Sequence, residues 1–115
     1  MTLQPVSQTK TAQNIRRLVN YCREGQASEL LSLTLDKALS YEVDRCQEQW
    51  EQIRGDLTIF EQQYEMSSEL FYHRFQTGQT DDRMDFVEWA SLYQMGQNLI
   101  KRLDLLTTEP NRNSE

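Results

Sequence analysis

LSYEVDRCQEQWEQIRGDLTIFEQQY, residues 39–64, decides the fold. Leu39, Val43, Cys46, Trp50, Ile53, Leu57, Phe60 and Tyr64 recur at spacings of 4, 3, 4, 3, 4, 3 and 4. An apolar residue every three or four positions marks one face of a helix, and a mean spacing of three and a half marks a coiled-coil seam. Gly55 falls off that seam, so it lowers helix propensity without opening a gap in the packing face. The seam alone spans roughly 39 Å at about 1.5 Å per residue. Upstream, Leu31, Leu35 and Leu39 continue the stripe, and Ser28 is placed to cap it. Leu31, Leu33 and Leu35 also alternate as in a strand, but no second strand is available to pair with them. The expectation is one long helix over about 29–65.

A second seam lies toward the other end. Asp85, Trp89, Leu92, Gly96, Leu99, Leu103 and Leu106 follow spacings of 4, 3, 4, 3, 4 and 3, flanked by Phe86, Tyr93 and Ile100. Gly96 on the seam permits close approach of a neighbouring backbone or ring. This predicts a helix over about 82–107, and antiparallel packing on the first is the economical arrangement. Between them, Ser67 or Ser68 can cap a short helix over about 67–76 carrying Leu70, Phe71 and Phe75, which Gly78 ends. Ile15, Leu18, Val19 and Cys22 give a further short helix over about 11–24, stopped by Gly25. The expected organisation is an all-α long helical hairpin: a single helical domain over 11–107, with a disordered arm at 1–10 and a disordered tail at 108–115.

Composition agrees with helices, because Gln is frequent while Gly and Pro are scarce. No window approaches a membrane span and no signal-peptide pattern is present, so a cytoplasmic protein with no membrane contact is expected. Cys22 and Cys46 have neither metal spacing nor a disulfide framework, which fits a reducing compartment. Charge is uneven. Lys10, Arg16, Arg17 and Arg23 against Glu24 give residues 1–27 a net +3, so a total of −6 leaves −9 for the rest. An acidic body favours basic partners, while the basic arm offers Lys10, Arg16, Arg17 and Arg23 as phosphate contacts for DNA or RNA.

Signals for catalysis are sparse. His73 is the lone histidine, with no cysteine beside it in sequence, so a Cys–His nucleophile has no support. Glu69 and His73 share a helix face and could give two metal ligands, with more from Asp81, Asp82 or Asp85. Neither the paired Glu-x-x-His motifs of di-iron bundles nor a calcium loop is present, so no metal or other cofactor is expected. Glycine-rich phosphate loops and dinucleotide fingerprints are also missing. The aspartates of TDDRMDF, residues 80–86, have a structural explanation: Asp81 or Asp82 as helix cap, and Asp85 as favourable charge in the first turn.

The segment FEQQYEMSSELFYHRFQTGQTDDRMDFVEWASLYQM, residues 60–95, carries a double motif. Tyr64, Met66, Ser67, Ser68, Glu69, Phe71, Tyr72, Phe75 and Gly78 are followed by Asp82, Met84, Asp85, Phe86, Glu88, Trp89 and Leu92. Over about residues 57–106 the chain resembles small bacterial proteins described as antitoxin components of toxin–antitoxin pairs. It departs from their pattern at Glu65, where a small residue or glycine is usual, and at Leu70, where an acid is common. The resemblance implies a binding protein rather than an enzyme, its partner a cognate toxin. A small basic ribonuclease suits the acidic body. Phe86, Trp89 and Tyr72 would anchor that contact, while Asp81, Asp82, Asp85 and Glu88 would meet basic groups. The seam over 39–64 supports a second reading, a helical scaffold or coiled-coil homodimer of unrelated role. A metal-dependent hydrolase through Glu69, His73 and the aspartates is a third.

Overall fold

The computed structural model describes residues 8–109, and every regular element among them is a helix. These are α1 (Gln8–Arg23), α2 (Glu29–Tyr64), α3 (Ser68–Gln76) and α4 (Met84–Thr107). By its internal contacts the chain divides into two compact units, Met1–Ala38 and Leu39–Glu115. Helix α1 starts at Gln8, so the last three residues of the expected 1–10 arm are helical. The remainder of that arm, and the expected tail beyond residue 109, lie outside the described residues.

In the first unit, α1 ends at a left-handed turn. Gly25 has φ 74°. Its N–H donates to the Cys22 carbonyl at 3.0 Å, and that of Gln26 donates to the Tyr21 carbonyl at 3.4 Å. This is the closing pattern a glycine without Cβ strain permits. The start of α2 is capped as its sequence suggests, Ser28 Oγ accepting from the Leu31 N–H at 3.0 Å. The 31–35 stretch is helical, not strand. Ile15, Leu18, Val19 and Cys22 of α1 and Leu35 of α2 line a common apolar groove. Its packing is thin: the buried apolar residues among those described all lie from Cys46 onward.

In the second unit the remaining length of α2 packs against α4, with α3 between them in sequence. Pairing runs in opposite directions: Trp50 meets Gly96, Phe60 meets Trp89, and Tyr64 meets Phe86 and Asp85. The helices are therefore antiparallel. Cys46, Ile53, Leu57 and Phe60 are buried from the first seam, and Trp89, Gly96 and Leu99 from the second. From Cys46 onward the first seam thus finds cover inside the chain, while Leu39 ahead of it stays 49% exposed. Gly55 faces open space, whereas a Cβ on Gly96 would lie 2.9 Å from Trp50 Cζ3. The glycine on the seam is the one that lets the indole in.

Candidate functional site

The two motifs converge where α2, α3 and the start of α4 meet. Trp89 is fully buried and Phe71 is 1% exposed, their rings stacked at 3.9 Å between centroids and 1° between planes. Phe60 and Tyr64 stack on the same indole at 5.6 and 5.7 Å, and Phe86 meets Tyr64 edge-on at 5.0 Å. Such contacts add about 0.5–1.5 kcal/mol per pair beyond area burial.

The adjacent serines divide their tasks. Ser67 is the N-cap of α3, its Oγ accepting from the Leu70 N–H at 3.1 Å. Ser68 is buried, and its Oγ accepts the Trp89 Nε1–H at 2.9 Å. The Ser68 backbone N–H donates to Glu61 Oε2 at 2.9 Å, which ties α3 back to α2. The indole can be sealed from water only because this hydroxyl satisfies its single donor.

Asp81 does other work than the capping expected of it. Arg83 holds the N-cap position of α4, with φ −58°, ψ 153° and no side-chain cap bond. Asp81 instead turns onto Arg83 itself, accepting from its backbone N–H at 3.1 Å, its Nε at 2.9 Å and its Nη2 at 2.7 Å. A residue two positions before the cap reaches the cap's own N–H, not the free donors of the first turn. These bonds to Arg83 hold the Asp81 carboxyl down at about 2. The guanidinium so placed lies 4.6 Å from the Phe86 ring centroid, in cation–π contact. Asp85 does sit in the first turn, and its Oδ2 also accepts the Tyr64 hydroxyl at 2.6 Å and Gln63 Nε2 at 3.5 Å. The hydrogen bond to this carboxylate raises the Tyr64 phenol above its ordinary value, burial adds to the rise, and Arg83 opposes it.

Of the expected anchors, Trp89 is sealed and can touch no partner. Phe86 and Tyr72 are half-buried, the latter packed on Tyr93 at 4.8 Å. Burial chiefly raises the Tyr93 phenol, helped by Glu69 and Tyr72. Asp82 and Glu88 are exposed and available for contact. Three apolar residues of α4 outside its seam are exposed: Met84 at 81%, Val87 at 43% and Met95 at 53%. They lie off the core-facing stripe of α4. Their signal was large apolar residues on a helix at positions the seam does not use.

The basic residues Lys10, Arg16, Arg17 and Arg23 are all exposed on α1, a helix without a carboxylate. At seven-residue separations, Lys10 lines up with Arg17 and Arg16 with Arg23. Glu69 and His73 are exposed on α3, and among the described residues no three His, Cys, Asp or Glu side chains gather as a metal site. Among the same residues no helix is long and apolar enough to cross a membrane. No protein-family profile, curated protein or solved structure matches the chain.

Proposed function

We propose that the chain is an antitoxin-like binding protein that neutralises a small basic toxin, of ribonuclease type, by direct contact. The elbow between α3 and α4 is the docking surface. The observation that carries this reading is Met84, 81% exposed at the first turn of α4, with the carboxylates of Asp82 and Glu88 close to it in sequence and themselves exposed. A flexible thioether adapts to irregular partner surfaces, and covering it contributes about 1.5–3 kcal/mol. The carboxylates would pair with lysines and arginines of the toxin, and the net charge of −6 would speed encounter with a cationic protein. The aromatic stack behind α4 keeps this surface from rearranging, which lowers the ordering cost of binding. Inhibition follows from occlusion of the toxin's cleft, and this chain performs no chemistry.

The test is co-expression with the product of the adjacent gene. The wild-type chain is expected to restore growth and to co-elute with that product on size exclusion. Met84→Asp and Glu88→Lys should each weaken the complex while leaving the urea midpoint of the free protein unchanged. A wild-type chain that neither binds nor rescues ends the reading. Full binding by both variants would remove the elbow as the docking surface.

A further inference from the structure

We infer that the groove between α2 and α4, on the flank of the hairpin away from α3, takes an amphipathic helix of the cationic partner, laid parallel to α4. This rests on the docking proposal above and extends its surface from the elbow along the hairpin. The groove holds about 410 Å³. Ile53, Leu92 and Leu99 form its floor, and Met95, 53% exposed, stands on its α4 side. Met84 and Glu88 lie eleven and seven residues before Met95, so elbow and groove share one side of α4. Arg54, Thr58, Tyr93 and Gln97 occupy the opposite flank, in the cleft beside α3.

The polar side chains of the groove are unengaged. Among the described residues, Gln49, Gln52, Asp56, Asn98 and Arg102 form no side-chain hydrogen bond or ion pair within the chain. Asp56 lies six residues past Trp50 toward the elbow, and Arg102 six past Gly96 in the other direction. Trp50 and Gly96 are in contact, so the two charges stand twelve residues apart along the hairpin, roughly 18 Å at about 1.5 Å per residue. They are too far apart to pair with each other.

Chemistry selects the occupant. Strand addition needs a free sheet edge, proline-rich segments need aromatic walls, and phosphorylated ones need clustered arginines. Every element described is a helix, and the groove has no aromatic ring and one arginine. An amphipathic helix remains, its apolar stripe on the floor and its polar edges against Gln49, Gln52 and Asn98. A helix of about twelve residues spans the distance between the two charges. With its positive N-terminal end at Asp56 and its negative C-terminal end at Arg102, it meets an opposite charge at both ends. Residues 39–115 carry fifteen acids against seven bases, a net −8. A second copy brings the same charge to this face, whereas a cationic partner brings the opposite one.

Calorimetric titration of the full chain with the purified product of the adjacent gene tests this. Met95→Glu, Asp56→Lys and Arg102→Glu should each weaken binding about tenfold or more. The urea midpoint of the free chain should stay unchanged, since all three side chains are exposed. Hydrogen exchange of the partner in the complex should show one protected run of about twelve residues. A synthetic peptide of that run should gain helical circular dichroism when the full chain is added. A nitroxide on the peptide's first residue should broaden resonances near Asp56 and spare those near Arg102. Binding kept by all three variants overturns the inference, and with Met84→Asp still weakening the complex it leaves the elbow reading standing. A bound peptide without helix, or one seated in the reverse direction, overturns it as well. So does a free chain that dimerises through this face and becomes monomeric on Met95→Glu. A wild-type chain that does not bind the product at all ends the docking reading itself, and the helix with it.

Discussion

Single atoms decide the state of the elbow. Ser68 Oγ is the acceptor that lets the Trp89 indole be buried. Ser68→Ala leaves that donor unpaired in a dry site, and a loss of about 1–3 kcal/mol is expected in chemical denaturation. Tyr64 supplies a second test through pH. Its pKa is raised in the folded chain above the ordinary 10.0, so the folded state binds the phenolic proton more tightly. The associated stability is complete below pH 10 and is lost as pH rises through the folded value. Urea midpoints should fall in that alkaline range, and Tyr64→Phe should remove this part of the dependence. Asp81 works with the opposite sign: its carboxyl falls from 3.8 to about 2, so what it contributes is present above 3.8 and lost as pH drops toward 2. None of these pairings could be read in advance. TDDRMDF contains a good cap residue, but whether it caps depends on which residue takes the extended backbone angles, and that residue is Arg83.

Helices carry the part that was legible. The 3.5-residue period located both long helices to within two residues at each end, and Ser28, Ser67, Gly25 and Gly78 mark boundaries by ordinary capping and turn chemistry. Periodicity tells that a stripe must be covered, yet not by what, so the seam over 39–64 read equally well as a dimer interface. Glycines on and off the seam separate two otherwise identical substitutions. Gly55→Ala, facing open space, should stabilise by about 0.5–1 kcal/mol through helix propensity. Gly96→Ala gains the same propensity but drives a methyl to 2.9 Å from the Trp50 ring. Overpacking costs about 1–3 kcal/mol, so a net loss is expected in thermal melts of the two variants side by side. The end of α2 offers a third case. Glu65 holds φ 51°, a left-handed angle that costs a side-chain-bearing residue about 1–2 kcal/mol. Glu65→Gly should stabilise by roughly half to one kcal/mol after the entropy of the unfolded glycine is counted.

For the molecule as a whole, stability is uneven. The second unit holds every fully buried side chain described, while the first holds an open groove. Amide exchange should therefore be faster in α1 than in α4. Equal protection of the two helices would contradict the thin packing of α1. The contrast was only partly visible in the sequence, since Ile15, Leu18, Val19 and Cys22 have the same helical spacing as residues that end up buried. One arrangement has a further use. Trp89 lies in a parallel stack with Phe71 out of reach of solvent, while Trp50 is half-buried against Gly96. A collisional quencher will dim one indole and spare the other, and the rigid ring pair should give a dichroic band in the aromatic ultraviolet. The protein thereby carries its own optical gauge, able to tell a partner seated on the elbow from an elbow that has come apart.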